Sequence, residues 1–153
     1  QIFNNITLFN DNISESQVWD SIDQVGARRF IEALPNKLNF NVKERGASLS
    51  VGQRQLISCI RIMLYDPKII LLDEATSSVD SETESMIQSA ISKILKNRTS
   101  IVVAHRLSTI KEVDNIIVLE NGEIKEIGDH NSLNKSGGYY RRLYEMQNKN
   151  ILT

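Results

Sequence analysis

The sequence predicts an α/β fold built on a parallel strand pair, and three observations predict it. Ile69–Leu72 and Ile101–Ala104 are short runs that are apolar on both faces, as strands covered by helices on both sides would be. Between them lies a stretch with Met86, Ile87, Ala90, Ile91, Ile94 and Leu95 on one helical stripe. Strand, helix, strand in that order makes a βαβ unit with parallel strands and a right-handed crossover.

The other elements follow in chain order. Residues 1–13 are Asn-rich and read as irregular. Ser14 with Gln17 forms a capping box, so a helix is expected to about Val25, broken by Gly26. A second helix, Ala27 to Leu34, ends at Pro35, and 36–48 reads as a loop. Ser50 with Gln53 is a second capping box, opening a helix that runs to about Tyr65 and stops at Asp66-Pro67. Ser81 with Glu84 reads as a third, at the head of the crossover helix. Ile116–Leu119 and Ile124–Ile127 flank Asn121-Gly122, a hairpin turn whose two residues tolerate positive φ. Leu133 to the end is helical, with an interruption at Gly137-Gly138. The expected division is a helical region over about 14–66, an α/β core with hairpin over about 67–130 and a helical segment over 131–153.

Composition narrows the function classes. The chain has 153 residues, 41% hydrophobic and 24% charged, enough for one globular domain with a real core. Net charge is −1 and the isoelectric point about 6.2, so no overall basic character draws it to nucleic acid. No apolar run approaches the ~18 residues that span a bilayer, and no signal peptide is visible. The single Cys59 cannot form an internal disulfide, which points to a reducing compartment. The chain begins at Gln1 rather than Met, so it is expected to be a piece of something longer.

The chemistry gathers where strands end and one helix starts. In open α/β sheets, ligands bind beyond the carboxyl ends of the strands. Asp73 and Glu74 follow one strand and His105 the other. An acid there suits Mg²⁺, held by one or two carboxylates plus phosphate oxygens and water. A second acid beside it can deprotonate an attacking water, and a histidine can hydrogen-bond a phosphate. At Ser50 the first N–H groups of a helix have no internal partner and, with the helix dipole, favour an anion. Gly52 would let a ligand approach closely, and the Ser50 hydroxyl can donate to it. An isolated Asp-Glu pair or capping box is usually no more than a solvated strand end or a helix cap. Here the spacing of the two is the informative feature.

That spacing resembles the nucleotide-binding domain of ABC transporters, of the exporter type. Leu49-Ser50-Val51-Gly52-Gln53 is similar to the signature, Ile69–Asp73 to Walker B, and Glu74 to the catalytic glutamate after it. Ser78-Val79-Asp80 resembles the D-loop, His105 the switch histidine of the H-loop, and Glu44-Arg45-Gly46 the X-loop. The resemblance covers nearly the whole chain and implies a partial P-loop NTPase (RecA-like) parallel sheet with a helical signature subdomain. It implies ATP and Mg²⁺, two such domains paired head to tail as a homodimer or heterodimer, transmembrane domains as partners, and a place on the cytoplasmic face of a membrane. By that resemblance Asp73 helps hold Mg²⁺, Glu74 is the general base, and His105 contacts the γ-phosphate. Ser50, Val51, Gly52 and Gln53 close over the ATP of the opposite subunit, and Asp80 couples the two sites.

The chain also departs from the family pattern. No G-x-x-x-x-G-K-[ST] phosphate loop (Walker A) occurs among its seven glycines. Val51 replaces the usual signature glycine, Lys43 stands where the X-loop often has glycine, and Ile60 and Ile62 replace small residues in the signature helix. Two other readings stay open on sequence: a non-catalytic pairing module lacking its own phosphate loop, and an ABC ATPase of the chromosome-structural type. Gln53 and the run His105–Thr109 argue against the latter. His130, Trp19, Tyr139 and Tyr140 read as structural.

Overall fold

The computed structural model describes residues 1–43, 46–73, 79–104 and 107–150. They form two compact units, Gln1–Leu72 with Thr76–Ile101, and Asp73–Ala75 with Val102–Thr153. Glu44, Arg45, Glu74, Ser78 and His105 lie outside the described residues.

The first unit opens with a helix, α1 (Ile2–Thr7), where the Asn-rich composition suggested irregular chain. Tertiary contacts outweigh its weak helix propensity. Ile2 and Ile6 are fully buried, and the carbonyls of Asn5 and Thr7 accept hydrogen bonds from Arg61 Nε and the Tyr65 hydroxyl. Next comes α2 (Glu15–Val25), with both bonds of the Ser14–Gln17 capping box in place. Gly26, at φ +82°, ends it, its N–H donating to Ile22 and Asp23 carbonyls at 3.0 Å. The next helix, α3 (Arg28–Glu32), is shorter at both ends than the expected Ala27–Leu34, and a 3₁₀ turn (Lys37–Asn39) interrupts the expected loop.

Two longer helices dominate this unit. They are α4 (Val51–Tyr65) and α5 (Ser81–Leu95), joined by the strand β1 (Ile69–Asp73). The start of α4 touches the start of α5 through Gly52 against Val79, Thr83 and Ile87. At their far ends Arg98, just past α5, donates to the Asp66 carboxylate at 2.7 Å and reaches Met63 Sδ at 4.0 Å. The two helices therefore lie side by side and parallel. Their apolar stripes, with Leu56, Ile57 and Ile60 from α4 and Ile87, Ala90, Ile91 and Ile94 from α5, enclose the core together with Val18, Ile22 and Ile70. Cys59 is buried there, and desolvation pushes its thiol up to about 11, far from a reactive thiolate.

The cap of α5 differs from expectation. Its N-cap is Asp80, not Ser81, and Asp80 Oδ1 accepts from the Thr83 N–H at 2.9 Å. A carboxylate is an equally good cap and suits the positive end of the dipole better than a hydroxyl. β1 pairs with β2 (Thr99–Val103) in a parallel sheet. The second strand starts two residues before the expected Ile101, because Asn97 at φ +63° turns the chain out of α5 early. Nor is the sheet covered on both faces. Ile70 is buried, but Ile69 and Leu71 are 66% and 75% exposed, and Ile101 and Val103 also face solvent. Alternation rules, with one face buried and the other open.

The second unit is a hairpin with three helices. After α6 (Leu107–Lys111), β3 (Ile116–Glu120) and β4 (Glu123–Gly128) pair antiparallel around Asn121-Gly122, whose φ values of +53° and +78° are both positive, as a two-residue turn requires. The ladder pairs Leu119 with Ile124 and Val118 with Glu126, leaving Lys125 as a bulge. The bulge brings Ile117, Leu119, Ile124 and Ile127 onto one exposed face although their spacing is uneven. On the other face Val118 packs with Leu133 of α7 (His130–Ser136) and Tyr140 of α8 (Tyr139–Asn150). Glu126 caps α8 from outside, its Oε2 accepting from the Tyr140 N–H at 2.8 Å. His130 Nδ1 lies 2.7 Å from the Tyr140 hydroxyl, so its role is to tie α7 to α8. Tyr140 is buried while Tyr139 is largely exposed. Trp19 is half-buried on α2, bonded to Glu15 with the Arg28 guanidinium over its ring.

Ile60→Ala, at a fully buried position, is expected to lower unfolding free energy by ~2–5 kcal/mol, and Ile62→Ala, half-buried, by clearly less, in denaturant titrations. The caps also set an acid limit. Backbone hydrogen bonds from Thr83 and Ser132 hold the Asp80 and Asp129 carboxyls below their ordinary range. Their contribution is complete above about pH 4, the ordinary aspartate value, and is lost as pH falls through the lowered native values. Melting temperature is therefore expected to drop below pH 4, with a shallower drop in Asp80→Asn.

Candidate functional site

The helix start at Ser50 is built by local sequence. Ser50 is extended, at φ −66° and ψ 166°. Its Oγ accepts from the Gln53 N–H at 3.1 Å, and Gln53 Oε1 accepts from the Ser50 N–H at 2.9 Å. The reciprocal pair satisfies the amides of Ser50 and Gln53. The N–H groups of Val51 and Gly52 have no partner among the described residues, and the Arg54 N–H returns to the Ser50 carbonyl. Two bare amides at the positive end of a 15-residue helix, beside a serine whose hydroxyl proton remains available, have the chemistry to hold an anion. Ser50 is exposed and Val51 is 40% exposed, so the site is open.

What precedes this start is pinned by its own helix. Arg54, one turn in, donates to the Leu49 carbonyl at 2.6 Å and to the Gly46 carbonyl at 3.4 Å. Gly46, at φ +75°, leaves room for that side chain: a Cβ would sit 2.8 Å from Arg54 Cδ. Arg54 therefore fixes the turn that presents Ser50, a role the motif reading missed. Its position one turn after the cap is the signal that could have shown it.

Gly52 is buried rather than open to a ligand on its side-chain face. That face is turned into α5, against Val79 and Thr83. Asp80 is exposed at the head of α5 and caps it, and the same hydrogen bond from Thr83 keeps its carboxylate charged. Because α4 and α5 are parallel, Ser50 and Asp80 stand at the same end of the helix pair.

Asp73 is the last residue of β1 and is exposed. Among the described residues no group of three His, Cys, Asp or Glu side chains converges as a closed metal cage. A strand-end carboxylate such as Asp73 suits Mg²⁺, a hard cation that keeps most of its waters and takes its remaining ligands from phosphate. Glu74 and His105 lie outside the described residues, so the structure joins neither of them to Asp73. It does bring together Ser50, Val51, Gly52, Gln53 and Asp80, and adds Arg54, Val79 and Thr83 to them.

Comparison with known proteins shows the family. The family model for ABC transporters matches residues 1–77. The chain is 45% identical over 136 residues to a multidrug resistance ABC transporter ATP-binding and permease protein of Lactococcus lactis, covering 89% of this chain and 23% of that protein. It is 44% identical to an ATP-dependent lipid A-core flippase of Shewanella oneidensis, covering 93% and 26%. Among solved structures, a bacterial Atm1-family ABC exporter with ATP bound superposes with a TM-score of 0.82 at 36% identity, over 95% of this chain and 26% of that one. The chain thus spans about a quarter of the length of these relatives. An α/β fold with a capped, anion-ready helix start at Ser50, the family match and these alignments together make the chain a member of the ABC transporter family, aligned with the nucleotide-binding domain of its exporters.

Proposed function

We propose that the chain is the signature-bearing part of a domain that binds and hydrolyses ATP to drive export across a membrane, working in a head-to-tail pair with a second such domain. The observation that carries this reading is the start of α4, where Ser50 and the bare amides of Val51 and Gly52 offer an exposed helix start suited to an anion. A site of that kind closes over a phosphate brought by another body. In this reading Ser50, Val51, Gly52 and Gln53 contact the γ-phosphate of the partner's ATP. Val51 keeps the backbone contact while lacking the closer approach a glycine allows.

The home site uses the strand-end residues. Asp73 holds Mg²⁺, which neutralises phosphate charge. Glu74 takes the proton from the attacking water as general base, and His105 donates to the γ-phosphate and steadies the water. Asp80, fixed as the cap of α5, faces the partner and links the two sites. The transmembrane domains belong to the same assembly, which places this domain at the cytoplasmic face of the membrane, and they choose the substrate.

The open sheet face supports the same reading. Ile69, Leu71, Ile101 and Val103 expose an apolar surface that a parallel sheet normally covers. A preceding segment carrying the phosphate loop would cover it. At ~25 cal/mol per Å² such burial adds substantially to stability.

Two outcomes test the proposal. The 153-residue chain alone, with no G-x-x-x-x-G-K-[ST] loop, is expected to show no ATP turnover above background in a phosphate-release assay, and measurable turnover would sink this reading. In the full-length transporter, Glu74→Gln is expected to lower steady-state hydrolysis by ~10²–10⁴-fold while ATP binding survives and a closed dimer accumulates. Undiminished hydrolysis would remove Glu74 as the base. A pairing module without catalysis would show no hydrolysis in either form.

A further inference from the structure

Gly52 has no side chain because there is no space for one. A Cβ on it would lie 2.5 Å from Thr83 Cγ2 and 2.7 Å from Val79 Cγ1, with Ile87 Cδ1 at 3.5 Å. Its φ is not in the left-handed region, so backbone freedom is not what the position requires. The requirement is contact. The first turn of α4 is pressed onto the residue that precedes the Asp80 cap and onto the residue whose N–H that cap holds at 2.9 Å. A seat with no room for even one added carbon does not deform gradually. It transmits displacement.

We propose that Gly52 is a positioning residue that seats the start of α4 on Val79 and Thr83, so that the Ser50 anion site and the Asp80 turn shift as one body. Val79 and Asp80 follow Asp73 and Glu74 closely in the chain, and this contact ties their turn to the helix start that, in that reading, serves the partner's ATP. The proposal rests on the reading of Ser50 and Asp73 as parts of two ATP sites. It differs from the simpler role in which Gly52 merely clears the way for a phosphate. In that role a Cβ would be harmful because it faces the ligand. Here it is harmful because it faces α5.

The two roles separate in a mutant cycle. Thr83→Ser removes the Cγ2 that a Cβ would strike and keeps the hydroxyl that bonds to Asp80, and Val79→Ala removes the other obstacle. ATP hydrolysis is measured in the full-length transporter for wild type, Gly52→Ala, Val79→Ala/Thr83→Ser and the triple variant. Gly52→Ala is expected to lower kcat about tenfold or more, with the triple variant recovering to within about threefold of the Val79→Ala/Thr83→Ser background. A triple variant as slow as Gly52→Ala, or a Gly52→Ala enzyme with wild-type turnover, overturns the proposal. A wild-type protein without hydrolysis would instead refute the underlying reading, and the proposal with it.

A second readout does not depend on ATP or on Gly52→Ala folding. In the same protein, Asp80→Ala should speed amide hydrogen exchange not only at Thr83, whose cap it removes, but also at Gln53, whose N–H is held by Ser50 Oγ at 3.1 Å. An effect on the α4 start from a change at the α5 start is the mark of one body. Exchange at Gln53 that stays at the wild-type rate overturns the proposal.

Discussion

The parallel packing of α4 against α5 is the constraint on which the rest depends. It is set at one end by the absence of a side chain at Gly52 and at the other by Arg98, which donates to the Asp66 carboxylate and to the Ile94 carbonyl. Arg98 is mostly buried while Asp66 is mostly exposed. The pair is therefore worth more as a geometric clamp on two helix ends than as an ion pair in water. With both ends fixed, β1 crosses between the helices in one direction only. The cap residues Ser50 and Asp80 are then brought to the same end.

How far this was legible in the sequence depended on the range of the forces involved. The Ser14 and Ser50 capping boxes, the Asn121-Gly122 turn and the apolar stripe of α5 are decided within four or five residues, and each is where its pattern places it. The fold class followed from that stripe between two apolar strand runs, and the family from the order and spacing of the motifs around Ser50 and Asp73. α1 was missed because its carbonyl partners, Arg61 and Tyr65, lie more than fifty residues away in the chain. The α5 cap was misplaced by one residue because Asp80 and Ser81 both have the right chemistry, and the hydrogen bond to Thr83 chose the acid. At Gly52 the sequence pattern names a glycine without saying which neighbour demands it. Only the packing against Val79 and Thr83 does that.

The bare apolar face of β1 and β2 has the same cause. Both strands read as apolar throughout, which is correct for a sheet buried on two sides. The described residues, however, supply cover for one side only: Ile70 points into the core while Ile69 and Leu71 do not. The hairpin carries a comparable face of Ile117, Leu119, Ile124 and Ile127, set against a polar rim of Glu120 and Glu123 at its turn.

The bulge at Lys125 has a consequence for chain length. In a strand, losing one residue turns every later side chain to the opposite face. Here the extra residue has already displaced the alternation, with Ile124 and Ile127 on one side and Glu126 on the other. Removing Lys125 would leave Leu119 opposite Ile124 and Val118 opposite Glu126 in an unbroken ladder, with the Glu126 cap on α8 still facing its helix. Loss of a neighbour such as Ile124 or Glu126 would close the bulge as well, but Lys125 would then take its place, setting a cation on the apolar face or removing the carboxylate that caps α8. Within β4, tolerance to a one-residue deletion is thus concentrated at a single position, and length variation in this hairpin has a preferred place to occur.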